Sequence, residues 1–337
     1  MTMAIKGVLA IVGGFCGMVA CALPCAATFD RMPEVGKFID EIVVKHDFDR
    51  SQLQRWFSHA QVQNSVLRAM STPGTARPWH SYRASQVTDA RIRGGVDYWR
   101  RHAAILARAS AEFGVPEEMI AATIGIETHY GRTLGTNVVF DTLATLAFLY
   151  PRRAELFRAE LEQFLLLTRE LDVAPRSYKG SYAGAVGVSQ FLPGSYRRHA
   201  VDFDKDGRRD LWSHADAIGS VANYYKAYGW TSGEKVIVAL EQPSESAGQE
   251  LQRLLERGLN PHPTVAALRA SGLTPVEPVP DDTLASVITA ESESGPRYWL
   301  AFNNFYVITR YNRSVNYALA VHDLALELRH ALSLERR

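Results

Sequence analysis

The chain has 337 residues, 37 of them Lys or Arg against 36 Asp or Glu, and 47% are hydrophobic. That length buries a sizeable core and leaves room for two or three subdomains, while the balanced charge excludes recruitment of nucleic acid by net charge alone. The three cysteines, Cys16, Cys21 and Cys25, all lie near the start, which excludes a disulfide framework for the rest.

Lys6 gives a positive start, Val8 to Ala22 is an apolar run of small residues, and polarity begins at Thr28, so residues 1–27 read as a signal peptide. The run is short for a membrane span, with an uncleaved anchor as the alternative. Met18-Val19-Ala20-Cys21 is similar to a bacterial lipid-attachment box with Met where Leu is usual. Lipidation at Cys21 and ordinary cleavage after Ala27 are both open; acyl chains on Cys21 would tether the chain to a membrane with no spanning helix.

From Glu34 to Met70 the pattern is helical, with Val35, Phe38, Ile39 and Ile42 on one stripe and Asp49 and Gln52 spaced as a cap, so residues 28–80 form an N-terminal helical domain. Ser71 to Trp79 reads as a loop, Tyr82 follows it, and one helix is expected from Thr88 to Phe113. Another runs between Gly114 and Gly131, with Pro116 as its first residue and Gly131 as its stop. In it Ile120, Ile124 and Glu127 share one face. Desolvation there and the negative helix end both disfavour the Glu127 carboxylate and suit a general acid, whereas pairing with Arg132 or His129 would make it structural.

Asp141 is placed to cap a helix over Leu143 to Leu149, and Pro151 closes it and opens the next, which runs to Glu170 with Leu156, Leu161, Phe164, Leu165 and Leu167. Arg152 and Arg153 at that start oppose the helix dipole. In Ser181 to Pro193, Gly184 and Gly187 permit close backbone approach and leave Gln190 to project a neutral amide. Asp202, Asp204 and Asp206 followed by Gly207 match the first half of a calcium loop, but position twelve is Ser213 instead of Glu; a solvated acidic turn, sodium or no metal are the alternatives. Ala217 to Ala227 is a helix bearing Tyr224. Val236 to Leu240, Leu284 to Ala290 and Tyr298 to Phe302 are strands, and Glu250 to Arg257 and Thr264 to Ala270 short helices, making 236–302 a small mixed β insertion. Ser314 caps a last helix with Tyr317, Val321, Leu324 and Leu328 on one face, preceded by the stretch Phe305 to Asn312.

Five segments carry a family likeness: Ile-Gly-Ile-Glu-Thr-His-Tyr-Gly at 124–131, Leu-Ala-Thr-Leu-Ala-Phe-Leu-Tyr-Pro-Arg-Arg-Ala-Glu at 143–155, Lys-Gly-Ser-Tyr-Ala-Gly-Ala-Val-Gly-Val-Ser-Gln-Phe-Leu-Pro at 179–193, Val-Asp-Phe-Asp-Lys-Asp-Gly at 201–207 and Asp-Ala-Ile-Gly-Ser-Val-Ala-Asn-Tyr at 216–224. Together they resemble the membrane-bound lytic murein transglycosylases of the B type. The resemblance implies a mainly α, α+β fold with a lysozyme-like helical core over 81–235, completed by 303–337. It implies Tyr82, Arg152, Arg153, Ser181, Gln190, Tyr224, Tyr311, Asn312 and Tyr317 as substrate-binding residues, with Ser181 and Gln190 also holding the acid in place. It further implies an EF-hand-like Ca²⁺ site over 202–216, from Asp202, Asp204, Asp206, the Arg208 carbonyl and Asp216, structural and outside the chemistry.

Ordinary glycosidases need two carboxylates. Only Glu127 is a convincing candidate here, Asp141 serving better as a cap and the Asp202 cluster on a cation, and no cysteine or Ser/His/Asp nucleophile competes. The implied reaction needs one acid. Glu127 protonates the oxygen linking N-acetylmuramic acid to N-acetylglucosamine, then takes the proton from the muramic C6 hydroxyl as it closes a 1,6-anhydro ring without water. The implied substrate is then a peptidoglycan strand in the periplasm of a Gram-negative bacterium, with anchoring to the outer membrane if Cys21 is lipidated and other cell-wall enzymes as further partners. A lysozyme-type hydrolase and a silent calcium-stabilised peptidoglycan-binding protein are the rivals.

Overall fold

A computed structural model describes residues 28–71, 77–243, 247–260 and 262–335. The leader, cleavage and lipidation readings at residues 1–27 lie outside the described residues, as do parts of the 71–79 and 241–248 loops. The fold is predominantly helical, with two small antiparallel sheets.

Three helices come first, α1 (Pro33–His46), α2 (Arg50–His59) and α3 (Asn64–Ser71). The stripe Val35, Phe38, Ile39 and Ile42 of α1 is buried, and the Asp49 carboxylate caps α2 by accepting the Gln52 amide at 2.6 Å. Tyr82 lies within α4 (Trp79–Gln86), not in a connection. The single helix expected from Thr88 to Phe113 is two, α5 (Asp89–Arg101) and α6 (Ala103–Phe113). They break at His102, which has a non-helical φ of −115°; its ring lies 4.5 Å from that of Tyr98 and 4.9 Å from that of His214.

The central helix α7 (Glu117–Thr128) starts one residue after Pro116 and is buried on nearly every side. It stops before Gly131 because His129 itself takes the left-handed conformation (φ 50°) and its amide returns to the Gly125 carbonyl at 3.1 Å. Tyr130 then fills a slot between α5 and α7 that only glycines leave open. A Cβ on Gly95 would stand 2.3 Å from the Tyr130 hydroxyl, and one on Gly125 2.6 Å from it.

α8 (Val139–Leu149) packs on α9 (Ala154–Glu170), with the turn Pro151–Arg153 between them. Asp141 is no cap: it sits in the first turn of α8, is 1% exposed, and pairs with Arg176 at 3.0 Å. A carboxylate that could reach a cation here was drawn inward instead of to the helix end. The strands β1 (Asn137–Val138) and β2 (Lys179–Gly180) pair antiparallel. α10 (Pro193–His199) has its first turn closed by Glu160, which accepts the Gly194 amide at 2.8 Å, and α11 (His214–Ala227) follows the acidic loop.

The last sheet has the order β3-β5-β4, with β3 (Ile237–Ala239), β4 (Ser286–Ser292) and β5 (Gly295–Ala301). With α12 (Gly248–Glu256) and α13 (Val265–Ala270) it encloses its own small core, including Val238, Leu254, Val265, Leu268, Val287 and Leu300. The chain returns through α14 (Asn303–Tyr311), a helix over a stretch for which none was expected, to α15 (Val315–Glu335). Ser314 accepts the Tyr317 amide at 3.3 Å. Against α4, α5 and α7, α15 buries Tyr317, Val321, Leu324 and Leu328.

Candidate active site

Glu127 occupies the last turn of α7, and its Oε1 accepts a 2.5 Å hydrogen bond from the Tyr317 hydroxyl. The residue keeps a partly exposed edge, yet burial of the carboxyl pushes its pKa up to about 7, against the opposing pull of the Tyr317 bond. Neither Arg132 nor His129 pairs with it among the described residues. His129 Nε2 instead lies 2.5 Å from the guanidinium of Arg91.

Phenols wall the carboxyl. Burial and then the charge of Glu127 push Tyr82 up to about 12 and hold Tyr311 and Tyr317 well above the usual phenol value. Tyr225 belongs to the same wall and was missed in the sequence. Its hydroxyl lies 2.6 Å from that of Thr123, one helical turn before Glu127, and a threonine on that otherwise apolar stripe was the signal for a polar partner. Tyr311 and Tyr317 stack at 6.5 Å, and Tyr224 packs on Tyr311 at 4.8 Å. Tyr311 donates to the Ser189 carbonyl and Tyr224 to the Arg310 carbonyl, both at 2.6 Å.

The glycine-rich segment lies beside the end of α7. Gln190, with φ 50°, donates its amide to the carbonyls of Leu134 (3.2 Å) and Gly187 (3.0 Å). Ser181 accepts the amides of Ala183 (3.2 Å) and Ala185 (3.1 Å). The partner of the Glu127 carboxyl is therefore Tyr317, whereas Ser181 and Gln190 hydrogen-bond to backbone. Arg152 and Arg153 are exposed in the turn before α9, with Arg153 5.5 Å from the Phe157 ring centre. Asn312 is exposed at the end of α14.

A second acidic group lies at the start of α11. Carboxylate oxygens of Asp202, Asp204 and Asp216 converge within 4.8 Å of one another. Asp216 is 1% exposed and accepts the amides of Phe203 (2.6 Å) and Asp210 (2.7 Å); burial raises its pKa. Three converging carboxylates with no cationic side chain among them are a donor set suited to a hard cation. Asp206 departs from the expected set, because its carboxylate accepts the Arg208 amide at 2.8 Å instead of joining the three.

The family model described as the transglycosylase SLT domain matches residues 30–326. Over 306 residues the chain is 42% identical to the membrane-bound lytic murein transglycosylase B of Escherichia coli K12, covering 88% of this chain and 82% of that one. The E. coli lytic transglycosylase SLT35, solved in complex with calcium, is 43% identical with a TM-score of 0.81, over 91% of this chain and 96% of that one. SltB3 from Pseudomonas aeruginosa, solved in complex with NAG-anhNAM-pentapeptide, is 32% identical with a TM-score of 0.74, over 87% of this chain and 78% of that one. With a match that spans the helical core, the β insertion and most of α15, the chain belongs to the SLT-domain lytic transglycosylases, enzymes that act on peptidoglycan.

Proposed function

We propose that this lytic transglycosylase cuts the β-1,4 bond from N-acetylmuramic acid to N-acetylglucosamine without water, with Glu127 as acid and then base. The observation that carries the reading is a carboxyl with a pKa of about 7 on which, among the described residues, no second carboxylate acts. At neutral pH such a group gives up a proton to the glycosidic oxygen and, once ionised, takes one back. The muramic C6 hydroxyl attacks C1, the C1–O4 bond breaks toward the protonated leaving group, and the hydroxyl proton passes to Glu127. Tyr317 holds the carboxylate through the cycle; Tyr82, Tyr224, Tyr311, Asn312, Gln190, Ser181, Arg152 and Arg153 bind and orient the strand.

Mass spectrometry of products from purified sacculi tests this reading: ends lighter by one water are expected, and reducing muramic ends alone would mean a lysozyme-type hydrolase. The carboxylates of Asp202, Asp204 and Asp216 hold Ca²⁺, with Asp206 and the Arg208 carbonyl drawn in, and the ion stabilises the loop without entering the chemistry. The leader exports the chain to the periplasm, where acylation of Cys21 tethers it to the outer membrane; among the described residues no helix is long and apolar enough to cross a membrane. The intact mass of the mature protein, with and without Cys21→Ala, tests the tether.

A further inference from the structure

Between β2 and α10 stands one large side chain that the site described above does not use. Tyr182 is 45% exposed, and among the described residues its ring meets no other ring. Singly exposed tyrosines are ordinary. This one is set apart by the rigidity of its support and by its place.

The backbone that carries it is closed on itself. The Ser181 amide donates to the Ala185 carbonyl at 2.9 Å and the Gly184 amide to the Ser181 carbonyl at 3.0 Å, in addition to the two amides that the Ser181 hydroxyl accepts. A Cβ on Gly180 would stand 2.2 Å from the Ala185 carbonyl oxygen, and one on Gly184 (φ +82°) 2.5 Å from Leu143, so both ends of the turn are packed too closely to admit a side chain. The turn is also fastened to the segment that leaves α7, through the pairing of Asn137 with Gly180 and the bond from Gln190 to the Leu134 carbonyl. The turn therefore stands beside the end of α7 that carries Glu127, and a charge on Tyr182 is felt at Tyr82, as that of Glu127 is.

We propose that Tyr182 is a stacking platform for an N-acetylated pyranose ring of the glycan strand, flanking the bond that is cut. One face of a pyranose is lined with C–H groups and is apolar, and a fixed aromatic ring offers it a matching surface at little entropic cost. The inference rests on the reading that Glu127 is the acid, and the experiment keeps the two apart.

Calorimetric binding of peptide-free glycan strands is compared between Glu127→Gln protein and the same protein with Tyr182→Ala, →Phe or →Trp. The Ala variant is expected to bind about 5–10-fold more weakly, and Phe and Trp within about twofold of the parent. In the active enzyme Tyr182→Ala raises KM by a similar factor with little change in kcat, and the melting temperature holds. Equal binding by the Ala variant, or a Phe variant as weak as Ala, overturns the platform. Strand cleavage by Glu127→Gln would overturn the acid assignment alone, since the binding comparison still reads the role of Tyr182.

Discussion

The protein handles carboxyl groups in two opposite ways. At the end of α7 a solitary carboxyl is enclosed by tyrosines and met by one hydroxyl donor, and its charge is disfavoured. At the start of α11 carboxylates crowd together and backbone amides point at them: Asp202 accepts those of Asp206 (3.1 Å) and Gly207 (2.9 Å), and Asp216 those of Phe203 and Asp210. The same functional group stands alone against a phenol in one place and in a converging cluster in the other. Burial raises the pKa at Glu127 and at Asp216 alike, and what differs is the set of fixed donors that opposes it, one hydroxyl at the first and backbone amides at the second.

The largest effect is expected where the solitary carboxyl is removed. Glu127→Gln should lower release of muropeptides from sacculi by about 10²–10⁴-fold. Its stability should move the other way. The free carboxyl titrates at 4.5 and the folded one at about 7, so the folded state holds the extra proton between them and this group's stabilisation is lost as pH rises through 7. At pH 8 Glu127→Gln should therefore be more stable than wild type by about 1–2 kcal/mol, discounted for partial exposure, and by nothing measurable at pH 4. Denaturant melts at the two pH values check this, and equal shifts at both would contradict the raised pKa.

Moving the acid toward the behaviour of the acidic loop, or away from it, is the next test. Tyr317→Phe deletes a donor that favours the charged form, so the pKa of Glu127 should rise. The alkaline limb of the kcat/KM profile should shift upward by about half a unit to one unit. A limb that stays in place would remove Tyr317 from any role in tuning the acid.

In the acidic loop, Asp216→Asn sets an amide N–H against backbone donors and should cost about 1–3 kcal/mol. Added Ca²⁺ should raise the melting temperature of wild type, chelation should reverse it, and Asp202→Ala should show neither response. Smallest of all, Asp206→Ala should weaken the calcium response without abolishing it, as expected of a carboxylate outside the converging three. Loss as complete as in Asp202→Ala would mean that Asp206 swings into the cluster when the ion binds.

What was legible in the sequence was local and periodic. The stripe of α1, the cap at Asp49, the strands around Val238 and Leu300 and the helix carrying Glu127 all follow from spacings of two to four residues. Hidden were the features made by distant partners. Asp141 looks like a cap until Arg176 is brought beside it, and the ring that lies against His102 at the break is that of His214, far away in sequence. Nothing near Glu127 in sequence announces that Tyr317, from the far end of the chain, donates to its carboxyl, and Thr123 signals a polar partner without saying that it is Tyr225. Helix α7 also ends on a histidine in a conformation usually left to glycine, so the nearby Gly131 pointed two residues too far.

The position of Tyr317 near the start of α15 has a consequence for when the enzyme can work. A chain made N-terminus first contains Glu127 well before the helix that supplies its hydroxyl partner. Until those final residues are made, the carboxyl lacks its hydroxyl partner and one of the phenols that wall it. In an enzyme that acts on the cell's own casing, the surroundings of this carboxyl are thus completed by one of the last stretches to be made.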